Sequence, residues 1–259
     1  VGSEMCIRDR LKTVQKMDGA ELSACVNKPC ILADDEGYNC EWSTELTVPD
    51  AMGEYIKAWF ILHVIAKEFG LGAQDGFQFN ISVGYDLAGI KGDKVNTFID
   101  GMMEAKDTVI FQECRKWLLD NADKFQNFTR EDIEAIPSNV CNSATISTLH
   151  GCPPQEIESI ANYLLTEKHL NTFVKCNPTL LGYDFARKTM DEMGYDYMVF
   201  GDFHFKDDLQ YEDAIPMFKR LQALADELNL AFGVKITNTF PVDAVSYTHL
   251  RAHETPEHL

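Results

Sequence analysis

From Ala144 to Thr239 the chain repeats one rhythm: a short run rich in β-branched and aromatic residues, a polar turn, then an amphipathic helical stretch. The runs are ATISTLHG, TFVKCNPT, YDYMVFG (195–201) and AFGVKITNT, separated by roughly 24 to 35 residues, the length of a βα unit. Antiparallel neighbours need only a tight turn, whereas parallel ones need a crossover of a dozen residues or more. The spacing therefore predicts a parallel sheet with helices packed on it. A doubly wound sheet and a barrel share this rhythm. The barrel is preferred because polar residues recur directly after the strands, where barrel enzymes carry their chemistry. No GxGxxG turn follows any strand, against a dinucleotide-binding domain. With about six strands legible, the expectation is an α/β fold, an incomplete TIM-type (β/α) barrel.

The N-terminal half is less regular. Leu11–Val14 reads as the end of a buried strand, and the polar stretch from Gln15 to Pro49 has no clear period. Tyr55–Phe69 reads as a helix whose apolar face carries Ile56, Trp59, Phe60, His63, Val64 and Ala66, with Gly70 as its stop. Phe77–Tyr85 alternates as a strand. Lys94–Ala105 follows the candidate cap Asp93, Phe111–Phe125 is predicted helical, and Thr129 opens a short acidic helix. Further on, Pro153 and Pro154 open a helix, Phe185–Met193 closes at Gly194, and Tyr211–Leu228 is long and amphipathic.

Both ends look foreign to the fold. Residues 1–10 (VGSEMCIRDR) and 245–259 (VSYTHLRAHETPEHL) resemble translated sequencing-adapter DNA, leaving a partial barrel at 11–244 that is expected to continue in both directions. The tail histidines His249, His253 and His258 are discounted as metal ligands for that reason.

The net charge of −18 disfavours nucleic acid and anionic lipid as partners. No run of about eighteen apolar residues spans a membrane, and no secretory signal is legible. The eight cysteines form no CxxC pair, so neither a zinc ribbon nor an iron–sulfur ligand set is expected in this chain. Reduced thiols and a cytoplasmic location fit that usage.

Candidate site residues lie at strand ends. Lys12 and Thr13 end the first strand, and Asn80 lies within the second. Lys175 with Asn177, and Lys235 with Thr237 and Asn238, share a strand face by the period of two. An ammonium group within an apolar strand must pair, lose its proton or meet an anion. A flavin offers such a partner in its ring edge and its phosphate. The bland alternative is pairing with a neighbouring carboxylate. Cys152 falls between a strand and a helix N-terminus, where a thiolate is favoured and could act as acid or base. Alternatively it packs against the prolines. A metal site from His150, Cys152, Cys176 and His204 is a weaker option, and no metal is expected. Cys25, Cys30, Cys40, Cys114 and Cys141 read as packing residues.

The blocks LKTVQ, KPCILADDEGYNCEWSTEL, FNISVGYDLAGIKG, STLHGCPPQEIE, NTFVKCNPTLLGYDFAR and FGVKITNT resemble the selenate reductase flavoprotein subunits of the YgfK family, across nearly all of residues 11–243. That family is similar to dihydropyrimidine dehydrogenase and the small subunit of glutamate synthase. The resemblance implies a barrel like dihydroorotate dehydrogenase that binds FMN. Iron–sulfur clusters, FAD and NAD(P) are implied elsewhere in a larger protein, so other redox domains or subunits are the expected partners. By resemblance Lys12-Thr13 matches a flavin-contacting Lys-Thr pair, and Asn80 an asparagine on the next strand. Cys152 in TLHGCP is similar to a catalytic cysteine in an Asn-Leu-Ser-Cys-Pro turn, although the asparagine is replaced and the spacing differs by one. A later flavin lysine corresponds to Lys175 by chain order or to Lys235 by its following Thr-Asn. Two other functions remain open at this level: a barrel without flavin that docks partner modules, and a lyase with a Schiff-base lysine.

Overall fold

The computed structural model of the chain describes residues 10–12, 48–73, 76–84, 86–147 and 152–236, the first three by backbone alone. Five parallel strands form one sheet: β1 (Arg10–Lys12), β2 (Phe79–Val83), β3 (Cys141–Ile146), β4 (Asn171–Cys176) and β5 (Phe232–Ile236). Their order in the sheet is their order in the chain. A doubly wound sheet reverses direction at a switch point. An order that never reverses is the winding of a barrel, and among the described residues β1 and β5 remain its two open edges. The α/β barrel expectation thus holds at the level of topology.

Each crossover carries helices: α1 (Val48–Glu68) after β1, then α2 (Leu87–Lys91), α3 (Asp93–Met103), α4 (Val109–Asp120) and α5 (Arg130–Ala135) between β2 and β3. α6 (Pro154–Thr166) joins β3 to β4, and α7 (Tyr183–Glu192), α8 (Phe203–Asp207) and α9 (Tyr211–Glu227) lie between β4 and β5. The core fills the space between sheet and helices. Ile81 and Val83 of β2, Ala144 and Ile146 of β3, and Val174 of β4 meet Ile56, Trp59, Phe98, Ile160, Leu164 and Leu221 from the helices. Trp59 also donates its indole N–H to the Pro137 carbonyl at 2.9 Å, fixing α1 against the segment that enters β3. The predicted apolar face of α1 is the buried one, with His63 in it. Gly70 ends that helix in the left-handed region (φ 61°), and the Leu71 N–H closes on the Ala66 carbonyl at 3.0 Å.

The burial pattern fixes which way the strands face. In β4, Thr172, Val174 and Cys176 are buried toward the helices, while Asn171, Phe173 and Lys175 turn to the other, concave side. In β2 the buried set is Phe79, Ile81 and Val83, leaving Asn80 and Ser82 on the concave side. Register then aligns the concave faces of successive strands: Asn80 with Ser143 and Asn171, and Ser82 with Thr145, Phe173 and Gly233.

One predicted strand is corrected. Tyr195–Gly201 enters no strand, because β5 pairs directly with β4 and occupies the position beside it. Its carbonyls are taken locally instead. Arg187 donates to the Met198 carbonyl at 2.6 Å and the Tyr195 carbonyl at 3.1 Å, and the Met198 N–H returns to Tyr195 at 3.0 Å. The guanidinium also lies 4.7 Å from the centre of the Phe200 ring. A boundary shifts as well: the third strand begins at Cys141 rather than Ala144.

Candidate functional site at the ends of the strands

The two lysines offered as rival matches for one role lie side by side. Lys175 of β4 and Lys235 of β5 are register partners, so their side chains leave the same face of adjacent strands, whose backbones run about 4.8 Å apart. Each makes further interactions. One residue pair earlier on that face, Phe173 opposes Gly233. A Cβ on Gly233 would lie 2.8 and 2.9 Å from two ring carbons of Phe173, so the ring lies across the glycine. Only a residue without a side chain admits it there.

Beyond Lys175, Asn177 keeps an extended conformation (φ −80°, ψ 156°) and caps a short 3-10 turn at Pro178–Leu181. Its side-chain N–H donates to Asp208 at 3.2 Å, and the Thr179 hydroxyl donates to the same carboxylate oxygen at 2.6 Å. Asp208 and Thr179 are both buried. No local sequence signal marks this cluster. Asp208 sits in the acidic run KDDL, which reads as solvated surface, and lies 31 residues from its partner Asn177.

Asn80 lies near the start of β2, not at its C-terminal end. Its Nδ2 donates to Thr145 Oγ1 at 3.0 Å and to the Ile81 carbonyl at 3.2 Å. Its Oδ1 is buried without a partner. Asn80, Ser143, Thr145, Phe173 and Lys235 line one cavity of about 630 Å³ on the concave face. That is within the roughly 300–1,000 Å³ typical of small-molecule sites. A second cavity, about 510 Å³, lies outside the sheet between α1 and α4, lined by Ile61, Val64, Ile65, Trp117 and other residues, and contains none of the predicted site residues.

Lys12 closes β1 in backbone register with Ser82. Thr13, Thr237, Asn238 and His150 lie outside the described residues. Cys152 is half-buried two residues before α6, its sulfur 3.9 Å from the Pro153 carbonyl oxygen, and it packs against the apolar core. Cys176 and Cys141 point into the core, where burial pushes their thiols up to about 11 and about 12. Both stay protonated at neutral pH, as packing residues do. Among the described residues no three His, Cys, Asp or Glu side chains converge as metal ligands.

A parallel, sequentially wound sheet with helices in its crossovers defines an α/β domain of TIM-barrel type. The chain belongs to the family described as "Oxidoreductase YgfK, N-terminal TIM-barrel domain", whose model matches residues 9–254. It is 46% identical over 241 residues to the "Putative oxidoreductase YgfK" of Escherichia coli strain K12, and equally to its counterpart in Escherichia coli O157:H7. Each alignment covers 88% of this chain but 23% of the relative, so the chain spans about a quarter of the length of those proteins. No solved structure matches the chain. Among the described residues, no helix is long and apolar enough to cross a membrane.

Proposed function

We propose that this chain is the flavin-holding barrel of a YgfK-type oxidoreductase, with FMN seated on the concave face at the C-terminal ends of β4 and β5. The observation that carries the proposal is the register pairing of Lys175 with Lys235 on that face. Two ammonium groups on adjacent strands suit a ligand with a phosphate or an electron-rich ring edge. The cavity that Phe173 and Lys235 help to line also has the volume of a small-molecule site.

FMN, when bound, supplies the redox chemistry. The protein's residues bind and orient. Lys175 and Lys235 offer positive charge to the ring edge, Asn177 adds a hydrogen bond beside them, and Phe173 forms an apolar floor over Gly233. Lys12, Thr13, Thr237 and Asn238 complete the flavin contacts by family resemblance. Cys152, which precedes α6, is proposed as the acid–base group by the same resemblance. By the same resemblance, iron–sulfur clusters, FAD and NAD(P) would be held outside this barrel, in the rest of a longer polypeptide or in partner subunits in the cytoplasm, and would supply the onward redox chemistry. Selenate is the acceptor that the resemblance assigns to the whole assembly, not to this barrel.

The test is to express the full-length protein anaerobically, release its flavins and identify them by chromatography. FMN beside FAD supports the proposal. FAD alone overturns it and assigns the barrel to docking of other modules. With FMN present, Lys175→Met and Lys235→Met should each weaken FMN retention about tenfold, the loss of one charge-assisted contact. The lysine pair also suits a second function, since an adjacent cation is one way to activate an amine for Schiff-base chemistry. Borohydride trapping with a carbonyl substrate would give a covalent adduct at Lys175 or Lys235 only in that case.

A further inference from the structure

Asp208 is the only buried carboxylate among the described residues, at 5% exposure, and it follows α8 directly. Its Oδ2 accepts from the Thr179 hydroxyl at 2.6 Å and from the Asn177 side-chain NH₂ at 3.2 Å. A side-chain amide is close to symmetrical in shape, and its neighbours choose between its two orientations. Donation from Asn177 Nδ2 to the carboxylate leaves Asn177 Oδ1 directed away from Asp208. Asn177 stands two residues beyond Lys175 on an extended backbone, which by the strand period puts it on the side of the lysine pair.

We infer that Asp208 is a positioning residue for the site: it fixes Asn177 as a hydrogen-bond acceptor beside the two lysine donors. The ligand that fits presents an N–H next to an acceptor or anionic oxygen or nitrogen, an imide-like edge. The inference rests on the flavin proposal above and narrows it, because it names which edge of the ring meets β4. It also assigns the β4–β5 excursion a role, since the residue that orients Asn177 is delivered from the middle of that excursion, between α8 and α9.

The experiment is a double-mutant cycle in the full-length protein, reading the FMN dissociation constant, the flavin absorption band and the unfolding temperature. Asp208→Asn keeps the shape but lets the facing amide turn either way. It should raise the FMN dissociation constant about tenfold and shift the absorption band, with an unfolding temperature close to wild type. Asn177→Ala should raise the constant by a similar factor, and the double variant should be no worse than the poorer single one. Losses that multiply in the double variant, or an unchanged constant in Asp208→Asn, overturn the inference and leave the flavin proposal standing. If Asp208→Asn does not fold, the Asn177→Ala arm decides: an unchanged constant there overturns the inference. A wild-type protein holding FAD but no FMN overturns the flavin proposal and the inference with it.

Discussion

His63 is 2% exposed, packed edge-on against Trp59 at 4.5 Å and against Phe77 at 4.8 Å, and neither ring nitrogen has a partner. Burial without a partner disfavours the imidazolium and lowers its pKa to about 4 from 6.5. The unfolded chain then takes up the proton first, so stability falls as pH drops from about 6.5 to about 4, by up to about 3 kcal/mol. His63→Phe should keep the aromatic packing and flatten that part of the slope, measured by denaturant unfolding of the full-length protein between pH 4 and pH 7. A slope unchanged by the substitution would assign the acid sensitivity to other groups. Gly233 poses a steric test. Gly233→Ala forces its Cβ into the Phe173 ring at 2.8 Å, at a cost of about 1–3 kcal/mol. Phe173→Val should recover most of that loss in the double variant, because the two residues share one space.

One predicted cap is local and correct, and another is not: Asp93 lies inside α3, whose N-cap is Gly92 with no side-chain cap bond. Thr129 accepts from the Asp132 N–H while the Asp132 carboxylate accepts from the Thr129 N–H, so the predicted acidic helix start is a full capping box. Thr129→Ala should cost about 1 kcal/mol, read as a lower unfolding midpoint with an unchanged denaturant slope. The predicted strand at residues 195–201 failed for a longer-range reason. Its Tyr, Val and Phe content suits a strand, but strand formation needs a free neighbour, and β5 holds that position. Arg187, from the preceding helix, caps the carbonyls that a sheet would otherwise take. Arg187→Lys keeps the charge and loses the fork geometry. It should speed amide hydrogen exchange at residues 195–200 and leave β4 protected. Equal exchange in both proteins would remove Arg187 as the anchor.

At the scale of the whole molecule, the sheet is a barrel wall whose edge strands, among the described residues, are β1 and β5. Ile236 on β5 is 80% exposed on the face where a barrel packs its outer helices. Apolar groups beside an unpaired edge favour aggregation. Ile236→Lys should therefore lower light scattering of the 259-residue chain, with little change in its unfolding midpoint. If scattering is unchanged, the exposed edge is not the aggregating surface.

The alternation of strands and helices, the ends of several helices and the shared strand face of Lys175 and Asn177 were in the sequence, because periodicity acts over a few neighbouring residues; the absence of a strand at 195–201 and the start of α1 at Val48 rather than Tyr55 were not. The foldedness of the site was not. That Lys175 stands beside Lys235 depends on a register between strands some sixty residues apart, which no local pattern encodes. Asp208 beneath Asn177, and Phe173 across Gly233, are contacts that exist only once the crossovers return the chain to the same strand end. Local sequence chose the elements; packing against the sheet chose which of their side chains meet.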